Sequence, residues 1–151
     1  MFVLTALMAC NTDAASPAQN TGIDQQEDAV DSTPTTRIIV RVGSQTFTAS
    51  LADNATANAF KARLPLVISM AELNGNEKYY NFSSSLPSNP ATEGRVAAGD
   101  LMLYNANTLV LFYEAFNTLY RYTRIGKIDD VSGLVAALGS GNVTVSFTLE
   151  Q

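Results

Sequence analysis

The stretch RIGKIDDVSGLVAAL, Arg124 to Leu138, changes its hydrophobic period half-way. Up to Ile128 it has the composition of a strand and carries a Gly126-Lys127 pair. From Val131 the apolar residues fall at Val131, Leu134, Val135 and Leu138, the spacing of one helix face. The acidic pair Asp129-Asp130 lies on the joint, where carboxylates cap a helix and favour its dipole. The spacing predicts a strand, a sharp reversal permitted by Gly126, a solvated Lys127 and a helix over 131–138.

The same reading extends outward in both directions. Gly139 and Gly141 end the helix, and NVTVSFTL then alternates cleanly through Val143, Val145, Phe147 and Leu149 as a closing strand. Upstream, RIIVRV and QTFTASL read as two strands joined by a tight Gly43-Ser44 hairpin. DNATANAFKARL reads as a helix capped by Asp53 or Asn54, with Ala59, Phe60, Arg63 and Leu64 on its short packing face and Pro65 as its stop. LVISMAEL, EKYYNF, DLMLYN, TLVLFYEAF and LYRYTRIGKI supply further strands, and a long loop with two prolines separates the second of these from the third. The expected architecture is mainly β: a closed antiparallel barrel of about eight strands with two short helices.

That element order resembles the cyclophilin barrel, and several motifs carry the resemblance further. IGKIDDVSGLVAAL is similar to the late strand, turn and second helix of cyclophilins, and GDLMLYNANTLVLFYEAF to their central hairpin. Leu64-Pro65, Gly75-Asn76-Glu77-Lys78-Tyr79-Tyr80 and Gly99-Asp100-Leu101 resemble the motifs of small bacterial cyclophilin-like proteins. The resemblance spans 37–151. It implies that the second helix covers an open end of the barrel with Val131, Leu134, Val135 and Leu138.

Cyclophilins isomerise prolyl bonds, whose uncatalysed barrier is about 18–20 kcal/mol. The resemblance implies an apolar proline pocket, an arginine that donates to the prolyl nitrogen, and a histidine and a tryptophan in the pocket wall. This chain has no histidine and no tryptophan. The family histidine maps near Tyr122, the tryptophan near Asn117, and the pocket phenylalanine onto Phe112 or Tyr113. The arginine belongs on the strand after Pro65, where LVISMAEL has none. Prolyl isomerase activity is therefore not expected.

The N-terminal MFVLTALMAC resembles a lipoprotein signal whose Leu7-Met8-Ala9-Cys10 precedes lipidation of Cys10, although no Lys or Arg forms a leading basic region. Residues 1–10 are read as this signal segment and 11–36 as a disordered acidic linker, poor in apolar residues. As a flexible coil the linker reaches roughly 25–30 Å. The resemblance implies a bacterial envelope protein anchored to a membrane through lipid, periplasmic or surface-exposed.

Charge agrees with this division. The net charge of −5 comes from Asp13, Asp24, Glu27, Asp28 and Asp31, and from Arg37 onward there are nine residues of each sign. No basic stripe points to nucleic acid as a partner. Serine-hydrolase chemistry lacks its histidine base, so Gly139-Ser140-Gly141-Asn142 reads as a helix stop. Cys10 is the sole cysteine, so a metal site in the domain would be all-oxygen, and no metal or cofactor is expected. Glu77 and Glu114 are conceivable as a pair of catalytic carboxylates, but nothing in the sequence brings them together.

Between residues 79 and 122 lie nine aromatic residues, of which alternate members should face the core. The expected ligand groove takes Tyr80, Phe82, Tyr104, Phe112, Tyr113 and Tyr122, with Arg121 at a cationic edge; Tyr79, Phe116 and Tyr120 belong to the same aromatic set. The leading expectation is non-catalytic binding of a peptide, protein loop or small ligand. One rival is a divergent isomerase using Arg95, Arg121 or Arg124 as donor. The other is a structural accessory domain whose groove is filled by the 83–99 loop.

Overall fold

A computed structural model describes residues 34–151; the signal segment, Cys10 and nearly all of the 11–36 linker lie outside the described residues. The elements follow in chain order as β1 (Arg37–Val42), β2 (Gln45–Leu51), α1 (Ala55–Lys61), β3 (Leu66–Leu73), β4 (Glu77–Asn81), β5 (Ala91–Thr92) and β6 (Arg95–Val96). Then come β7 (Asp100–Tyr104), β8 (Thr108–Phe112), β9 (Phe116–Asn117), β10 (Arg121–Ile128), α2 (Leu134–Leu138) and β11 (Val143–Leu149).

Eight strands close an antiparallel barrel in the order β2-β1-β11-β3-β4-β8-β7-β10, and β10 returns to pair with β2 through Gly126–Leu51, Lys127–Ser50 and Ile128–Ala49. The two-residue β5 adds to the edge of β10, and β6 pairs with β9 as a separate ribbon. The barrel follows from the alternation seen in the sequence. Ile38, Val40 and Val42 of β1 point inward with Phe47 and Ala49 of β2 and Val145 and Phe147 of β11. Closure leaves no unpaired long edge among these eight strands.

Both helices feed the interior. Asn54 caps α1 by accepting from the Ala57 N–H at 2.7 Å, and Phe60 packs edge-on against Phe147 with ring centroids 5.5 Å apart. The second helix differs from the expected one. It spans five residues, because Gly133 takes a left-handed conformation (φ 81°) that no helix starting at Val131 could include. Leu134 and Leu138 are buried, whereas Val131 and Val135 are 40% and 50% exposed. Asp129 and Asp130 do not cap it: Asp129 accepts from Ser50 Oγ and pairs with Arg37, and Asp130 accepts from the Ser132 N–H.

Gly126 also acts differently from the expected reversal. It lies within β10, next to a bulge between Arg124 and Gly126, and a Cβ there would stand 2.4 Å from the Ser50 carbonyl oxygen. The missing side chain lets β10 and β2 approach and close the barrel. Lys127 is exposed, as its solvated reading requires.

One charged residue sits wholly inside. Lys78 has no exposed surface; its Nζ donates to the Glu72 carboxylate, to Gly139 O at 2.9 Å and to Gly141 O at 2.6 Å. Glu72 also accepts from the Tyr113 hydroxyl at 2.6 Å. This network ties β3, β4 and the end of β8 to the glycine turn after α2. Burial opposes charge on Glu72, but the Lys78 and Tyr113 hydrogen bonds and the Lys78 charge outweigh it and hold the carboxyl below its usual range. Burial, with Glu72 next, pushes the Tyr113 phenol up to about 12.

Candidate functional site

The period of two along β4, β8, β7 and β10 sorts their side chains into two sets. The inward set joins the barrel core. The outward set, Met102, Val110, Phe112 and Tyr122 with Tyr79 and Tyr104 beside them, forms a second cluster that Val96 of β6 and Phe116 of β9 complete. The rings interlock: Phe112 meets Tyr122 edge-on at 5.4 Å and Phe116 at 5.5 Å, while Tyr104 lies 5.7 Å from Tyr122 and 5.9 Å from Tyr120.

Above this cluster opens a groove of about 370 Å³, within the range of ligand pockets. Its aromatic walls are Tyr79, Tyr104, Phe116, Tyr120 and Tyr122, with Asn74, Asn76 and Glu77 at one end and Asn81, Asn105 and Thr108 at the other. No lysine or arginine lines it.

Glu77 is its one charged group. The residue is 8% exposed, and among the described residues its carboxylate has neither a hydrogen bond nor an ion pair. Burial, with the Glu72 charge second, pushes its carboxyl above the ordinary value of 4.5. Burial, with Glu77 second, likewise raises the Tyr122 phenol. Next to Glu77, Asn76 Oδ1 is a buried acceptor without a partner.

The expected groove residues do not share one face. Tyr104 and Tyr122 line the groove. Phe112 belongs to the same face but is fully buried beneath Phe116 and Tyr122. Tyr80 and Phe82 stand with the barrel core, edge-to-face at 5.3 Å, and the Arg63 guanidinium lies over the Phe82 ring at 4.5 Å. Tyr113 is spent on Glu72. Arg121 gives the groove no cationic edge, because its guanidinium turns away to donate to Pro90 O at 2.6 Å. Tyr79, Phe116 and Tyr120 take their places, joined by Glu77 and Asn76, which sequence reasoning did not put in the groove. The signal for Glu77 was its spacing: two residues before Tyr79, it shares that residue's face of the strand.

The arginines considered as donors are engaged elsewhere. Arg124 pairs with Asp100 and Glu93, both at 3.1 Å, and Arg95 donates to Asn117 Oδ1 at 3.2 Å. Glu114 is exposed and does not line the groove, so it forms no pair of acids with Glu77 across it. The 83–99 loop is fastened beside the groove, not in it. Thr56 Oγ1 donates to Pro87 O, Thr123 Oγ1 accepts from the Asn89 N–H, and Arg63 reaches Ser84 and Ser85. It meets the aromatic cluster through Ala91, paired with Tyr122 in the ladder, and through buried Val96.

The profile of the Cyclophilin-like family matches residues 40–148. The chain belongs to the cyclophilin-like family. A hypothetical protein of Archaeoglobus fulgidus, solved in solution, is similar in fold, with a TM-score of 0.54 at 19% identity over 77% of this chain and 95% of that one. No curated protein matches the chain in sequence. In this cyclophilin-like domain Tyr122, which the resemblance equates with the family histidine, stands in the groove, and Asn117, equated with the tryptophan, pairs with Arg95 outside it.

Proposed function

We propose that the chain is a bacterial envelope lipoprotein whose cyclophilin-like domain binds a ligand, without catalysis, in the aromatic groove outside β4, β8, β7 and β10. The observation that carries this reading is an open, aromatic-walled groove with no guanidinium aimed into it. Prolyl isomerisation of the cyclophilin kind relies on such a donor at the prolyl nitrogen. Here Arg95, Arg121 and Arg124 are all held by other acceptors. An accessory domain with a closed pocket is the weaker reading, since the loop meant to fill the groove is pinned beside it. A peptide, a protein loop or a small ligand each fits an aromatic-walled groove with polar groups at both ends.

The test is an NMR exchange experiment on the full chain with a panel of Xaa-Pro and lysine-containing peptides. Shifts at Tyr79, Tyr104 and Tyr122 without accelerated cis/trans exchange are expected. Catalysed exchange would overturn the non-catalytic reading, and the absence of shifts with every peptide would overturn binding. The anchor has its own test: fatty-acid labelling of the chain in a bacterial host, lost in Cys10→Ala.

A further inference from the structure

We propose that the groove takes the side-chain ammonium of a lysine carried by a peptide or protein loop, with the Glu77 carboxylate as its counter-charge and Tyr79, Tyr104, Tyr120 and Tyr122 as its walls. The inference rests on the binding function proposed above and names the chemistry of the guest.

Four observations point to a cation. The groove has one charged side chain, an acid, and it is unpaired among the described residues although only 8% exposed. The fold shields most of this side chain from water while its oxygens reach the groove, so an incoming positive charge offsets the cost of ionising it there. The second polar group of that end, Asn76, also carries a partnerless buried oxygen. An ammonium brings three donors and no acceptor, which matches a carboxylate that has no hydrogen-bond partner. Five aromatic residues, four of them tyrosine, also line the groove, and a cation within reach of such rings is attracted to their faces.

The neighbouring charges agree. The cation nearest in sequence, Lys78, points to the other side of β4 and is consumed by Glu72, Gly139 and Gly141. At the same corner Glu114 is exposed, with its backbone N–H donating to Asn76 O. This corner thus carries negative charge, Glu77 within the groove and Glu114 outside it, which favours an approaching cation.

The apolar rim favours a lysine side chain over a bare amine. Leu73, which lines the groove, is 40% exposed. A lysine places four methylenes behind its ammonium and a polypeptide behind those, so stem and backbone both find apolar surface.

Titration of the full chain, followed by amide NMR, compares three probes: a capped Gly-Lys-Gly peptide, n-butylammonium and the neutral 1-pentanol, whose one extra methylene works in favour of the neutral probe. The peptide should bind best, butylammonium at least tenfold more tightly than pentanol, and Glu77→Gln should abolish that preference. Glu114→Gln, which removes the same charge from the surface, should reduce it by less than about twofold. Equal binding of pentanol and butylammonium, or an unchanged preference in Glu77→Gln, would overturn the cation site yet leave groove binding intact. Butylammonium bound as tightly as the peptide would keep the cation and overturn the peptide source. Silence with all three probes overturns the inference. If Xaa-Pro peptides still shift the groove, the binding function survives; if they too are silent, it falls as well. The pentanol comparison uses the unaltered protein, so it decides even if Glu77→Gln folds poorly.

Discussion

Tyr79 and Tyr80, neighbours in β4, stand on opposite sides of the barrel wall. Tyr79 packs with the outer aromatic cluster and lines the groove, whereas Tyr80 packs with the barrel core and meets Phe82 edge-on. One peptide bond therefore separates a groove-facing ring from a core-facing one.

This division gives the first prediction. Tyr79→Ala should weaken lysine-peptide binding by about threefold to fivefold, the worth of one exposed cation–aromatic contact. Tyr80→Ala should leave affinity within about twofold but destabilise the fold by about 2 kcal/mol through lost packing. Peptide titration and urea unfolding of both variants check it, and the reverse pattern would place the groove on the wrong face.

Lys78 supplies the second. Replacing it with Met leaves Glu72 without its cation and two glycine carbonyls without their donor. Lys78→Met should cost about 3 kcal/mol, a fall in Tm on the order of 10 °C. Adding Glu72→Leu should recover part of that loss, since the stranded carboxylate goes with it. Thermal unfolding of the single and double variants measures the coupling; purely additive losses would mean that the pair does not act as a unit.

The third concerns barrel closure. Gly126→Ala drives a Cβ into the Ser50 carbonyl, which belongs to a strand backbone and cannot swing aside. The expected cost is about 3 kcal/mol, with loss of amide protection at the β10–β2 pairing. Gly141 has an ordinary φ and open space where a Cβ would go, so Gly141→Ala should change stability by less than about 0.5 kcal/mol. Hydrogen exchange and denaturant unfolding of the two variants separate steric closure from a general intolerance of glycine replacement.

The barrel was legible because its signals are local. The alternation of β1, β2 and β11, the Gly43-Ser44 hairpin and the Asn54 cap each need only a few adjacent residues. The groove was less so. Aromatic neighbours such as Tyr79-Tyr80 and Phe112-Tyr113 give the two faces equal hydrophobicity, so periodicity cannot assign inside and outside. Lys78 was illegible for another reason: its acceptors at Gly139 and Gly141 lie more than sixty residues along the chain, and a lone lysine reads as solvated. The lack of histidine and tryptophan, by contrast, was visible in composition alone, since no folding can supply either.

The last prediction tests Glu77 without any ligand. Its carboxyl is raised above 4.5 in the fold, by burial first and the Glu72 charge second, so the folded protein binds this proton more tightly than the unfolded chain. Stability should then fall as pH rises from about 4.5 through the folded value, because ionising Glu77 costs more in the fold than in water. Glu72 titrates in the opposite sense: its lowered carboxyl stabilises the fold above 4.5 and loses that effect as pH falls through its own folded value. The other groups facing Glu77, the Tyr122 and Tyr113 phenols, are raised and stay neutral through this range. Comparing the wild type with Glu77→Gln isolates the Glu77 contribution. The variant should be more stable than the wild type at pH 7, and the gap should close toward pH 4. Urea unfolding at both pH values measures it. A variant less stable at neutral pH would mean that the carboxylate has a structural partner in the fold, and the case for a cation in the groove would fall with it. A more stable variant would make Glu77 a residue kept at a cost to the fold, as binding residues often are.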